Sequence, residues 1–110
     1  MTTLNEQMKY GSCPLVDRLV DSPNWNERKS AAVLGYGLDK LVYDPDKRIR
    51  MIVAMKGYGL DILIHDEVPA VRLFVAVCGN GYGLETLVND ESGWVRCNAR
   101  KELKRLSQLN

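Results

Sequence analysis

The stretch GYGLDKLVYDPDKRIRMIVAMK (residues 35–56) is followed directly by GYGLDILIHDEVPAVRLFVAVC, and soon afterwards by GYGLETLVNDESGWVRCNAR. The glycines that open these three segments are Gly35, Gly57 and Gly81, and the second interval is longer than the first only by Gly79 and Asn80. Recurrence at a nearly constant interval indicates a repeated structural unit.

The similarity between these segments extends well past the glycines. Leucine recurs at positions 41, 63 and 87, aspartate at 44, 66 and 90, and arginine at 50, 72 and 96. A fainter copy lies one repeat interval earlier, with Leu19, Ser22, Pro23 and Arg28 in the same positions. We therefore treat the 110-residue chain as a single helical-repeat domain with repeats at 14–34, 35–56, 57–80 and 81–99 and a C-terminal helical cap at 100–110.

Each repeat contains two segments with the spacing of one helix face. Apolar residues at i, i+3 and i+4 predict a short helix from Leu38, Leu41 and Val42 and a longer one from Ile49, Ile52 and Val53. No segment alternates convincingly with the period of two that a strand requires. Because a unit of roughly 22–24 residues cannot bury its apolar face alone, the sequence predicts an all-α solenoid of about four repeats, in which a longer and a short helix alternate.

The residues between these helices predict where each helix begins and ends. Asp44-Pro45 is typical of a helix N-cap followed by proline in the first helical position. Glycine at positions 35, 57 and 79 suits the left-handed residue that ends a helix. In this interpretation the glycines of GYGL end one helix and let the next pack closely, while the tyrosine fills the gap between repeats.

The repeated pattern L-x-x-L-(V/I)-x-D, a turn, and then (V/I)-R-x-x-V-A resembles the bacterial leucine-rich repeat variant family, relatives of HEAT repeats. The matching residues are Leu38, Leu41, Asp44, Ile49, Arg50, Val53 and Ala54, and then Leu60, Leu63, Asp66, Val71, Arg72, Val75 and Ala76. The resemblance implies a right-handed superhelix of α-helices alternating with short α or 3₁₀ helices, used mostly as a binding surface. Some members carry a cysteine-rich iron–sulfur segment before the repeats; only Cys13 lies there in this chain, so no cluster is expected.

An aspartate stands six residues before an arginine in each of three repeats. The pairs are Asp44 and Arg50, Asp66 and Arg72, and Asp90 and Arg96. Catalytic groups do not usually come in evenly spaced copies. We therefore interpret these residues as a structural ladder, in which each arginine binds the aspartate or the turn carbonyls of an adjacent repeat.

Features of an enzyme are not evident in the sequence. GYGL lacks the preceding strand and the spacing of a phosphate-binding loop. The single histidine, His65, forms no recognisable set with a serine or cysteine nucleophile, and no CxxC pair indicates a metal site. We expect a non-enzymatic protein with no catalytic, cofactor-binding or metal-binding residues.

The outward face of the longer helices becomes apolar along the chain, where a solvated face should be polar. The residues concerned are Met51, Met55, Leu73, Val77 and Trp94. Two explanations remain open: the helices are enclosed on both sides, or this strip binds a protein or peptide partner. The leading hypothesis is a non-catalytic scaffold that binds a protein or peptide along its longer helices.

Net charge and cysteine content limit the alternative functions and the expected location. The net charge is +1, which argues against a dedicated nucleic-acid protein, although Arg96, Arg100, Lys101, Lys104 and Arg105 cluster near the C-terminus. Nucleic-acid binding through that basic helix is the first alternative, and a structural fragment that self-associates into a homo-oligomer through its repeat ends is another. An odd number of scattered cysteines and the lack of an apolar leader or membrane-spanning run predict a cytoplasmic protein.

Overall fold

The computed structural model describes residues 14–109, and every regular element in that part of the chain is helical. The helices are α1 (Pro14–Val20), α2 (Trp25–Leu34), α3 (Leu38–Leu41), α4 (Lys47–Met55), α5 (Leu60–Leu63), α6 (Pro69–Cys78), α7 (Leu84–Leu87) and α8 (Gly93–Ser107). The prediction of an all-α protein is confirmed. Cys13, on which the expectation about an iron–sulfur segment depends, lies outside the described residues.

The longer helices and the one-turn helices contact each other in a regular order. Among the longer helices, α1 packs on α2, α2 on α4, α4 on α6 and α6 on α8. Each one-turn helix, α3, α5 or α7, contacts the longer helix before it and the longer helix after it. The chain therefore passes back and forth between a row of longer helices and a row of one-turn helices.

The hydrophobic core lies between these two rows. Leu41 and Val42 at the end of α3 meet Ile49, Val53 and Ala54 of α4, and all five are at most 2% exposed. The same cluster continues through Leu84, at the start of α7, and through equivalent residues of the later repeats: Leu63, Ile64, Val71, Val75, Ala76, Leu87, Val95 and Ala99. Full burial of one such valine or leucine contributes about 1.5–3 kcal/mol, so adjacent repeats stabilise each other mainly through this cluster.

The second glycine of each GYGL segment marks a close approach between repeats. At Gly59, where φ is +65°, an added Cβ would lie 2.6 Å from Cγ2 of Val42 in the preceding repeat. Gly37 meets Val20 in the same way, and Gly83 meets Ile64. Tyr58 and Tyr82 remain exposed and Tyr36 is only half-buried, so the expectation that tyrosine fills this gap is wrong. A branched aliphatic side chain of the preceding repeat fills it instead.

The residue that ends α6 also differs from the prediction. Gly35 and Gly57 have φ of +82° and +76°, as expected after a helix, but φ at Gly79 is −83°. Asn80, one of the two extra residues, takes the left-handed conformation instead, with φ of +56°. Asparagine tolerates this region better than most residues because its short polar side chain bonds locally. A side chain at Gly79 would collide with the carbonyl oxygen of Val75.

Candidate functional site

Each inner arginine of the Asp–Arg ladder joins its own repeat to the next. Arg50 donates hydrogen bonds from Nε to Oδ2 of Asp66 over 2.6 Å and from Nη2 to Oδ1 over 3.1 Å. Its Nη1 donates to the carbonyl oxygen of Asp44, in its own repeat, over 2.7 Å. Arg72 makes the same three bonds, to Asp90 over 2.8 and 3.0 Å and to the carbonyl of Asp66 over 2.6 Å. Each guanidinium thus links one turn to the following one.

Arg28 extends the same arrangement into the first repeat, although the predicted ladder does not include it. It donates to both carboxylate oxygens of Asp44, over 2.7 and 3.3 Å, and to the carbonyl of Ser22 over 2.9 Å. Its position one repeat interval before Arg50 was a sufficient signal to identify it. The ladder therefore has three complete steps among the described residues.

The ladder aspartates precede the helices and do not cap them. The N-cap of α4 is Asp46, whose side chain accepts the N–H of Arg48 over 2.9 Å. Asp44 accepts the N–H of Asp46 over 2.9 Å in an Asx-turn, and Pro45 lies within that turn. The predicted cap at Asp44 is therefore wrong by two residues. Because Asp44 lies before the N-cap of α4, its carboxylate remains available to Arg28 of the preceding repeat.

The pair formed by Arg72 and Asp90 is largely shielded from solvent, since each side chain is only 8% exposed. Burial alone raises the pKa of Asp90, but the hydrogen bonds from Arg72 and from the N–H of Ser92 outweigh it, and this pKa lies below its ordinary value. The hydrogen bond to Asp90 raises the pKa of Arg72. Both groups are therefore charged at neutral pH, and bonds of this charge-assisted kind contribute about 1.5–3 kcal/mol.

Arg96 is the last arginine of the ladder among residues 14–109. Its Nη1 donates to the carbonyl oxygens of Asp90 over 2.7 Å and of Glu91 over 3.2 Å, and the bond to Asp90 repeats the inner arrangement. No acidic side chain of residues 14–109 forms an ion pair with Arg96, and the hydrogen bonds found there do not use its Nε or Nη2. In the three earlier arginines the Nε and Nη2 edge of the guanidinium binds an aspartate. In Arg96 the same edge is therefore available.

The predicted apolar strip is partly open and partly covered. Met55, Val77 and Trp94 are 53%, 44% and 57% exposed. Met51 and Leu73 are half-buried and pack against the core. The prediction that all five residues line up in one strip is wrong, because Met55 and Val77 lie at the ends of α4 and α6 whereas Trp94 lies at the start of α8.

An additional apolar residue of the first repeat lies in line with this strip. Val33 of α2 is 48% exposed and stands one repeat interval before Met55, which itself stands one interval before Val77. Because α2, α4 and α6 pack consecutively, these three residues occupy the same register on neighbouring helices. We call Val33, Met55 and Val77 the apolar row. The repeat interval alone was enough to identify Val33.

The face of α8 differs from the equivalent faces of the earlier helices. In α8 the position equivalent to Val77 of the apolar row is occupied by Lys101. The position equivalent to the buried alanines of the earlier repeats is occupied by Arg100, which is exposed. Those alanines are Ala32, Ala54 and Ala76. Together with Lys104 and Arg96, these residues line an open recess of about 380 Å³ that also contains Gly93 and Cys97. We call this recess the basic recess.

The remaining reactive side chains are dispersed. His65 is exposed in the turn after α5, beside Asp61 and Thr86. Burial raises the pKa of the Cys78 thiol, whereas Cys97 is exposed in the basic recess. Within residues 14–109 no group of three or more histidine, cysteine, aspartate or glutamate side chains is placed to hold a metal ion. In the same part of the chain, no helix has the length and apolarity needed to cross a bilayer.

Comparisons of the chain with protein-family models, with curated proteins and with solved structures give no match. The resemblance to the leucine-rich repeat variant family therefore remains a prediction that rests on the repeated residues.

Proposed function

We propose that this protein is a non-catalytic helical-repeat scaffold that binds a protein or peptide along the apolar row. In this proposal the repeats form a right-handed α-solenoid of the leucine-rich repeat variant kind. The regular alternation of longer and one-turn helices supports it, as do the three equivalent steps of the Asp–Arg ladder. The dimensions, 48 × 33 × 17 Å, agree with an elongated arrangement.

The observation that carries the proposal is the recurrence of an exposed apolar residue at one register of three consecutive helices. Scattered single apolar residues are normal on a protein surface and require no explanation. Val33, Met55 and Val77 are instead aligned across helices that touch, and half-buried Met51 and Leu73 lie one turn away. Aligned apolar side chains of this kind, with adaptable methionines among them, are typical of sites that bind peptides.

The location of the protein is part of the same proposal. Cys78 and Cys97 are free thiols among the described residues. Free thiols suit a reducing compartment, and we place the scaffold in the bacterial cytoplasm.

A selection experiment tests the proposal even though the partner is unidentified. A phage-displayed library of random dodecapeptides is selected on the purified wild-type protein, and the enriched peptides are titrated against Val77→Glu. We expect these peptides to be rich in apolar residues and to lose at least about tenfold in affinity, since the variant places a charge in the apolar row.

The matched control is Ile62→Glu, which changes an exposed apolar residue of the one-turn row. We expect this variant to bind the selected peptides as the wild type does. Enriched peptides whose affinity is unchanged by both Val77→Glu and Met55→Glu would place binding elsewhere and contradict the proposal, as would a library that yields no specific peptide.

A further inference from the structure

The open Nε and Nη2 edge of Arg96 corresponds to the edge with which three earlier arginines bind an aspartate. In Arg28, Arg50 and Arg72, Nε and Nη2 donate to the two oxygens of one carboxylate, at distances between 2.6 and 3.3 Å. Arg96 has the same connection to the carbonyl oxygen six residues earlier, over 2.7 Å, so its guanidinium is held in the same way on that side. A guanidinium edge pre-positioned like this matches a carboxylate in a planar, two-bond arrangement.

The surroundings of Arg96 reinforce its preference for an anion. Arg100 and Lys104 follow it at intervals of four residues, so they share its face of α8, and Lys101 lines the same basic recess. The acidic residue within this stretch, Glu102, is engaged by Arg105 over 2.9 Å. Four cationic side chains of one helix, α8, thus line one open, shallow recess.

The features that join the inner repeats to one another differ at the two ends of the described chain. Where a following helix would pack, the inner repeats place a buried alanine and α8 places the charged Arg100. The first described repeat offers Ser22 in the register of the ladder aspartates, and its hydroxyl is already bonded to Glu27 and to the N–H of Asn24. Neither feature supplies the carboxylate that Arg96 could bind.

One residue of the basic recess, Lys101, lies in the same register as the apolar row. Lys101 occupies on α8 the register that Val77 occupies on α6, and these two helices pack against each other. Packed helices lie about 8–10 Å apart. An extended peptide covers that distance with about three residues, at ~3.3 Å per residue.

We propose that the basic recess binds a carboxylate of the partner peptide, an aspartate or glutamate side chain held by Nε and Nη2 of Arg96. This inference rests on the proposed peptide-binding function and specifies the chemistry of the partner. The partner peptide that fits this surface has apolar residues about three positions apart, which contact Val33, Met55 and Val77. About three positions after them it has acidic residues, which contact Arg96, Arg100, Lys101 and Lys104. A nucleic acid is less suitable, because the net charge of the protein is only +1 and these cations form one recess at one end.

The test uses fluorescein-labelled deca-aspartate as the carboxylate probe and a deoxythymidylate decamer as the phosphate probe, both titrated at physiological salt. Arg96→Lys keeps the positive charge and removes the planar pair of donors. We expect it to weaken deca-aspartate binding at least about fivefold. Lys40→Ala removes an exposed cation of the one-turn row and should leave binding unchanged.

Arg100→Ala separates binding from folding. It restores the alanine of the inner repeats, so we expect an unchanged or higher melting temperature together with weaker binding of deca-aspartate. The alkylation rate of Cys97 with iodoacetamide, resolved by mass spectrometry, should fall when deca-aspartate is bound, because this thiol lies in the basic recess. Half-buried Cys78 provides the internal reference.

Two results would overturn the carboxylate site. One is deca-aspartate binding that Arg96→Lys leaves unchanged, which would reveal a general charge effect. The other is tighter binding of the oligonucleotide than of deca-aspartate, which would assign the recess to nucleic acid. Library peptides that lose affinity with Val77→Glu but not with Arg96→Lys would refute this inference alone and leave the proposed function standing.

Discussion

Arg72 donates to both carboxylate oxygens of Asp90, 18 residues ahead of it, and to the carbonyl oxygen of Asp66, six residues behind it. One side chain therefore connects the turns that open two successive repeats. Since the guanidinium is buried and all its observed bonds go to oxygen acceptors, its removal would leave a shielded carboxylate without its cation.

Arg72→Ala should lower the free energy of unfolding by about 3 kcal/mol, because it leaves the largely shielded carboxylate of Asp90 without its ion-pair partner. Arg48→Ala is the matched control. Its side chain is 52% exposed, although it bonds to Asp46 over 2.7 Å and lies 3.7 Å from the centre of the Trp25 ring. Because these contacts are exposed and screened by solvent, Arg48→Ala should lower the free energy of unfolding less than Arg72→Ala does. Urea denaturation measures both, and equal midpoints would contradict the importance of the ladder.

The stability contributed by Asp90 should depend on pH. Because the pKa of Asp90 is lowered in the folded protein, its contribution is fully present above the ordinary aspartate pKa of about 3.9 and is lost as pH falls through the lower folded value. Asp90→Asn should therefore be less stable than the wild type by about 1–3 kcal/mol at pH 7. The difference should narrow below about pH 4. Urea titrations across this range check it, and a constant difference down to about pH 2 would refute the expectation.

The second glycine of GYGL should tolerate a methyl group less well than the first. Gly57→Ala and Gly59→Ala both place alanine at positive φ, +76° and +65°, which costs roughly 1–2 kcal/mol in each case. At Gly57 the added Cβ meets nothing within 4 Å, whereas at Gly59 it collides with Val42. We expect Gly59→Ala to cost at least about 1 kcal/mol more.

A double variant identifies the source of that difference. Val42→Ala removes the methyl groups that the new Cβ would meet, so Gly59→Ala and Val42→Ala together should cost less than the sum of their separate effects. Strict additivity in thermal or urea denaturation would show that backbone strain alone is responsible.

The outward face should respond differently at two neighbouring residues. Leu73 is half-buried against the core, so Leu73→Glu places a carboxylate in partly apolar surroundings and should lower the melting temperature clearly, at a cost of about 1–3 kcal/mol. Val77 is exposed, and Val77→Glu should change stability by no more than about 0.5 kcal/mol. Thermal denaturation and light scattering of both variants test this. If both variants melt as the wild type does, Leu73 belongs to the open surface; if both are strongly destabilised, the apolar row is interior.

The sequence by itself was sufficient for the features that depend on local spacing. The interval between GYGL segments predicted where equivalent helices recur, and the i, i+3, i+4 pattern of Leu38, Leu41 and Val42 predicted that their segment is helical. The aspartates and arginines were recognisable because each step recurs at the repeat interval. The same rule, applied once more, would have included Arg28 and Val33.

The tertiary structure decided what depends on the packing of one repeat against another. Six residues separate Asp66 from Arg72, but the arginine takes only the carbonyl of Asp66 and reaches forward to the carboxylate of Asp90, because the turns of successive repeats lie side by side. The exposure of Val77 and the partial burial of Leu73 follow from the way α6 packs against its neighbours. Within the described residues no turn follows α8, so no carboxylate is brought to the open edge of Arg96 there.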